Sequence, residues 1–160
     1  MADMLVRLYA LPDSSAACAR ARREGVTIRR PQSWERTLLV DWVRETFSQG
    51  WADECAIAFA TQPPSCLVAV RDSTLVGFAC HDCTRRNFLG PAGVDPAMRG
   101  AGVGAALTLC TLEAMRDAGY AYAIIGGVGP ADFYAKVAGA TPIEGSTPGI
   151  YDFSLAGPPP

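Results

Sequence analysis

Between Val94 and Leu107 the chain runs Val-Asp-Pro-Ala-Met-Arg-Gly-Ala-Gly-Val-Gly-Ala-Ala-Leu. An apolar strand end meets a turn marked by Pro96, and a glycine-spaced loop then opens directly into an amphipathic helix. Glycine lets backbone approach a ligand closely, and the first N–H groups of a helix have no partner within it. Those bare donors and the positive end of the helix dipole favour an anion, most naturally a phosphate. Arg99 sets a permanent positive charge beside them. Strand, loop and helix together imply an α/β chain that holds a phosphorylated cofactor. The loop and the start of its helix comprise Arg99, Gly100, Ala101, Gly102, Val103 and Gly104.

Two common phosphate-binding patterns fit poorly. Gly100-x-Gly102-x-x-Ala105 satisfies the loose dinucleotide fingerprint, but Leu89-Gly90-Pro91-Ala92-Gly93-Val94 is not the continuous apolar strand that such a unit uses. Nor does an acidic residue follow about 20 positions on to hold a ribose; the chain there reads Tyr120-Ala121-Tyr122-Ala123-Ile124-Ile125. A nucleotide-dependent oxidoreductase is disfavoured on both grounds. The sole lysine is Lys136 and no Gly-Lys-Ser/Thr occurs, which removes a P-loop. A glycine turn that merely caps a helix is the plain alternative.

Arg99-x-x-Gly102-x-Gly104 after a strand ending at Val94 resembles the acetyl-CoA pyrophosphate loop of the GNAT superfamily of N-acetyltransferases, with its pattern Gln/Arg-x-x-Gly-x-Gly/Ala. Phe133-Tyr134-Ala135-Lys136-Val137-Ala138-Gly139-Ala140 is similar to the family's Phe-Tyr-x-Lys-x-Gly-Phe segment, with one extra residue before the glycine. A helix and a strand lie between the two, as in the family. The likeness is close over residues 65–155 and holds only in outline over the N-terminal third.

The resemblance implies a mixed, mostly antiparallel sheet with a splayed central strand pair and helices on both faces, an α/β (α+β) fold. It implies acetyl-CoA as co-substrate, with no metal, and direct transfer of the acetyl group to a primary amine of a small molecule or peptide in a ternary complex. Backbone N–H groups near Gly93 and Val94 would polarise the thioester carbonyl, and residues 99–104 would hold the pyrophosphate. Tyr134 matches the tyrosine that lies near the sulfur and acts as general acid in many members; Lys136 belongs to the same cofactor segment. A phenol suits that role because it is neutral at pH 7 and can share its proton with a thiolate.

Many relatives carry a glutamate base on the splayed strand, where this chain has Asn87-Phe88-Leu89. Asp82, Glu54 and His81 are the nearest substitutes by position along the fold. Gly126-Gly127-Val128-Gly129 stands where many relatives have an asparagine, which implies a wider acceptor side. A rival reading keeps the fold without catalysis, as an acetyl-CoA-binding sensor or interaction module. The missing strand carboxylate favours it and Tyr134 opposes it.

At 160 residues and 49% hydrophobic, the chain can bury one real core. The expectation is a single domain over residues 1–156, with 1–64 shaping the acceptor side, 65–156 binding the cofactor, and a disordered tail at 157–160. A net charge of −2 gives no broad basic surface for nucleic acid. The N-terminus lacks a basic region followed by an apolar run, and no apolar stretch matches a membrane span. A soluble, cytoplasmic protein is expected; family habit adds a homodimer through the C-terminal strands.

Six cysteines are scattered through apolar stretches: Cys18, Cys55, Cys66, Cys80, Cys83 and Cys110. They read as reduced core thiols. Cys80-His81-Asp82-Cys83 has CxxC spacing, but residues three apart on a continuing strand face opposite sides, so the two cannot pair or share a metal without a bend. No second pair completes a tetrahedral set.

The remaining layout is a strand over Met4–Ala10, a turn with candidate N-caps at Pro12-Asp13-Ser14-Ser15, a helix after it through about Glu24 closed by Gly25, and a short strand over Val26–Arg30. A helix capped by Ser33 follows, with the apolar stripe Leu38, Leu39, Trp42, Val43 and Phe47 and an end at Gly50. Residues 51–60 suggest a further helix broken by Pro63-Pro64. A hairpin turns at Arg71-Asp72-Ser73, and a strand weakened by Gly90, Pro91 and Gly93 covers Asn87–Val94. The next helix turns Val103, Leu107, Cys110, Ala114 and Ala118 inward, a buried strand spans Tyr120–Ile125, and a short helix begins at Pro130. A last strand pair flanks Gly145–Gly149.

Overall fold

In a computed structural model, which describes residues 1–153 and Leu155, seven strands form one sheet. They are β1 (Met4–Arg7), β2 (Val26–Arg29), β3 (Cys66–Arg71), β4 (Thr74–His81), β5 (Phe88–Val94), β6 (Tyr122–Ile125) and β7 (Thr141–Pro142), in the order β2-β3-β4-β5-β6-β1-β7. Every neighbouring pair is antiparallel except β5 and β6, which run parallel. The helices are α1 (Ser15–Arg23), α2 (Arg36–Thr46), α3 (Gln49–Ile57), α4 (Val103–Asp117) and α5 (Ala131–Ala138). The mixed, mostly antiparallel architecture is the one expected.

Strand alternation sends side chains to two covered faces. Phe78 and Cys80 of β4 point to one face, where Leu39 and Val43 of α2 and Ala52 and Cys55 of α3 bury them. Ala79 and Val76 join Ala69 of β3 on the other, under Ala21 of α1 and Val103, Ala106 and Leu107 of α4. A third cluster joins Val6 and Leu8 to Leu112, Met115, Ala123 and Ile125 beneath the C-terminal half of α4. The hairpin turn works because Asp72 and Ser73 take positive φ of 48° and 61°, as a two-residue loop demands.

α4 is buried more widely than a one-sided stripe predicts. Ala106, Thr108, Leu109, Thr111, Leu112 and Met115 join Val103 and Leu107, whereas Cys110 and Ala114 are only half-buried and Ala118 is exposed. Leu112 and Met115 pack with β1, β6 and α5, Ala106 joins the cluster of Ala21 of α1, and α1 also runs along the half-buried side at Cys110. There Ser14 Oγ donates to Glu113 at 2.8 Å and the Ser14 N–H donates at 3.3 Å. Ser14→Ala removes the shorter bond, and urea unfolding should show a loss of about 1 kcal/mol.

Several local expectations are corrected. α2 begins behind a capping box in which Glu35 accepts from the Gln32 N–H at 2.7 Å, so Ser33 is not the cap. Leu38 is 63% exposed and leaves the buried stripe to Leu39 and Val43. Gly50 does not end the helix: α2 stops at Thr46, and Gly50 lies in α3, capped by Ser48 Oγ accepting from the Trp51 N–H. β1 ends at Arg7 and gives way to a 3₁₀ turn over Leu8–Ala10. β6 is half-buried, with Ala123 and Ile125 inward and Tyr122 exposed. Of the strand pair expected to flank Gly145–Gly149, the two-residue β7 forms on one side, and on the other Gly149–Phe153 is a 3₁₀ helix. The tail at 157–160 lies outside the described residues. Among the described residues, no helix is long and apolar enough to cross a membrane.

Candidate functional site

β5 follows β4 from Leu89 to Val94, but meets β6 only where Phe88 and Leu89 face Ile124 and Ile125. Beyond Leu89 the two parallel strands part, and a wedge opens between Gly90–Val94 and Gly126–Gly129. Gly90 stands at the parting point with φ +140°, a region that L side chains rarely adopt. The Asp95 N–H bonds the Val76 carbonyl at 2.9 Å, which fixes the phase of the ladder. Alternation then turns Gly93 toward β4 and leaves the N–H groups of Ala92 and Val94 facing the wedge. Of the two N–H groups expected from the sequence, that of Val94 faces the wedge and that of Gly93 faces β4. Gly93 has a steric task instead: a Cβ there would lie 2.5 Å from Phe47 Cζ, so the Phe47 ring rests on bare strand.

The wedge leads to the glycine loop. Gly100 and Gly102 adopt φ +83° and +85°, and Gly102 caps α4. The first helical bond is from the Ala106 N–H to Gly102 O, so the N–H groups of Val103, Gly104 and Ala105 have no acceptor within the helix. Arg99 is exposed beside them. Arg20, which the sequence reading missed, reaches over from α1 and donates to Gly100 O at 2.7 Å. Its Cδ lies 2.8 Å from where a Cβ on Gly102 would stand. The one local sign of it was the run of arginines in the last turn of α1. Gly104 lies under Phe133, whose Cζ is 3.5 Å from its Cβ position, with Val94 Cγ2 at 3.6 Å. Loop, β5 and α5 thus converge.

Tyr134 sits on α5 against the cluster beneath α4, edge-on to Phe133 at 5.0 Å. Burial pushes its phenol above the usual value, and the hydroxyl has no hydrogen-bond partner among the described residues. Lys136 projects from an exposed part of the same helix.

The other two carboxylates part company. Asp82 lies at the closed end of the wedge, where it accepts from the Asn87 N–H at 2.8 Å and the Tyr120 O–H at 2.9 Å and pairs with His81 Nδ1 at 2.8 Å. The neighbouring His81 Nε2 is buried with no partner among the described residues. Glu54 of α3 lies near Tyr151 instead. Burial, with the Glu54 and Asp3 carboxylates after it, holds the Tyr151 phenol above its ordinary value, while Arg85 opposes them. The room expected at Gly126-Gly127 is taken by Tyr151: its hydroxyl lies 2.7 Å from a Cβ position on Gly126, and Phe88 Cε1 lies 2.9 Å away. Asp3 Oδ1 accepts from the Gly127 N–H at 2.8 Å and anchors that turn.

The chain has the same fold as two solved acetyltransferases. One is the GCN5-related glucosamine N-acetyltransferase region of a fungal multi-domain GH3 β-N-acetylglucosaminidase (TM-score 0.73, 15% identity, 89% of this chain and 19% of that one). The other is the GCN5-related N-acetyltransferase of Sphaerobacter thermophilus (TM-score 0.65, 18% identity, 89% and 48%). The chain thus spans less than half the length of either. Among curated proteins none matches it. The sequence model of the acetyltransferase (GNAT) family matches residues 36–139, well over half the chain, which takes in α2, the wedge, the glycine loop and α5. With that match and the parted strands behind it, the chain belongs to the GNAT family.

Proposed function

We propose that the protein is an acetyl-CoA-dependent N-acetyltransferase acting on a primary amine. The observation that carries this reading is the wedge: two inner parallel strands separate beside a glycine loop and a helix N-terminus whose first amides have no acceptor within the helix. A pantetheine arm supplies the backbone pairing that β5 has lost, and the diphosphate takes the amides of residues 99–104, with Arg99 and Arg20 close by.

The chemistry follows from position. The amine nitrogen attacks the thioester carbon, forming the N–C bond and an oxyanion that accepts from the Val94 N–H. Glu54 of α3 takes the amine proton directly or through water. The intermediate collapses, the C–S bond breaks, and Tyr134 donates its proton to the departing thiolate. Burial raises the phenol pKa above its ordinary value, which keeps that proton in place at neutral pH. Asp82, already engaged by three groups, braces the β4–β5 turn. α2 and α3, with Phe47 and Glu54, wall the acceptor side.

The test is release of free coenzyme A from acetyl-CoA over a panel of small and peptide amines. Amine-dependent release supports the enzyme. Tight acetyl-CoA binding with no release on any amine would leave a non-catalytic binding module.

A further inference from the structure

Four cysteines come together on the α2–α3 face of the sheet, away from the wedge. Cys66 of β3 and Cys80 of β4 are direct cross-strand partners, and Cys55 of α3 closes over them. The three Sγ atoms all lie within 4.8 Å of one another, and each residue is 0% exposed. Cys83 belongs to the same cluster. The sequence reading placed Cys80 and Cys83 on opposite faces of a continuing strand. β4 instead ends at His81, and Asp82 takes φ +60°, which supplies the bend and swings Cys83 back beside Cys80. Three sequence-distant segments thus aim sulfur at one point in an otherwise apolar core.

The geometry points to a thiolate site for Zn(II), with Cys55, Cys66 and Cys80 as ligands and the nearby Cys83, whose thiol now donates to His81 O at 3.3 Å, turning in to close the shell. Zinc–sulfur bonds of about 2.3 Å put the sulfurs of a tetrahedral site about 3.8 Å apart, a small contraction from their present spacing. Soft thiolates select a thiophilic d¹⁰ ion over magnesium or calcium. Binding exchanges each coordinating S–H proton, released to the buffer, for a metal–sulfur bond, with no change of oxidation state. The ion would pin α3 to the β3–β4 hairpin, and with it Glu54, the residue before Cys55.

The experiment is titration of the reduced, metal-stripped full chain with Co(II) and then Zn(II). The expected result is about one equivalent bound, a thiolate-to-cobalt charge-transfer band that Zn(II) bleaches, and a raised Tm. X-ray absorption on the zinc-loaded wild type should show a sulfur-dominated shell at about 2.3 Å, which identifies the ligands without any variant. A Cys18→Ser/Cys110→Ser double variant should keep the band, because those thiols meet each other between α1 and α4, 3.1 Å apart. Cys66→Ser should lose it. No uptake by wild-type protein whose thiols are all free overturns the proposal. So does a shell of nitrogen and oxygen, or a band that depends on Cys18 and Cys110.

Discussion

Replacing Tyr134 by Phe is expected to lower turnover about 100- to 10,000-fold, the usual contribution of a positioned proton donor, and to leave acetyl-CoA affinity unchanged. The expectation rests on what the substitution keeps. The ring stays packed beneath α4 and edge-on to Phe133, and only the hydroxyl goes. That hydroxyl has no structural partner among the described residues whose loss could disturb the fold. Steady-state kinetics beside equilibrium binding separate the cases. A fall in kcat at constant Kd assigns the proton to Tyr134, whereas full activity takes the role away from it. Where chemistry limits the wild-type rate, poor leaving groups should suffer most from the loss of the acid.

Gly102→Val is expected to weaken acetyl-CoA at least 100-fold in a protein that still folds. Two effects combine at this position. Valine at φ +85° is strained by about 1–3 kcal/mol, and its Cβ would stand 2.8 Å from Arg20 Cδ. Relief of either turns the loop amides away from where they now point. A hydrogen bond to a charged group contributes about 1.5–3 kcal/mol, so losing one or two of them is enough for the hundredfold change. Arg20→Ala, alone and combined with Gly102→Val, separates the causes. In the Arg20→Ala background the clash is gone and the backbone strain stays, so Gly102→Val should weaken acetyl-CoA less than it does in wild type. A melting curve on each variant confirms that α4 remains formed.

The loop was legible in the sequence because its determinants are local. Glycine spacing, a turn proline and the first turn of an amphipathic helix all lie within 14 residues, and the physics that makes them an anion site does not depend on the rest of the chain. The splay was legible for the same reason, through Gly90, Pro91 and Gly93. What the sequence could not carry was the phase of the ladder. Whether Gly93 or Ala92 faces the wedge depends on the pairing of Asp95 with Val76, which no local pattern states. The same holds for partners contributed from afar. Arg20 arrives from α1, Tyr151 fills the space over Gly126, and the sulfurs of Cys55, Cys66 and Cys80 meet only after α3 docks on the hairpin. Cys83 shows the failure most plainly, since one residue with positive φ reverses what strand periodicity predicts. Helix boundaries failed where two signals competed. Gly50 looks like a stop, but the Ser48 cap starts a new helix before it.

The central claim is that main-chain amides of residues 99–104 grip the diphosphate of a thioester carrier. Calorimetry with acetyl-CoA and with S-acetylpantetheine, which has no diphosphate, tests it on wild type and Gly102→Val. Wild type should bind acetyl-CoA far more tightly than the truncated thioester, and Gly102→Val should erase most of that difference while binding the truncated thioester as before. No heat from wild type with acetyl-CoA, or the same diphosphate advantage in both proteins, would contradict the account.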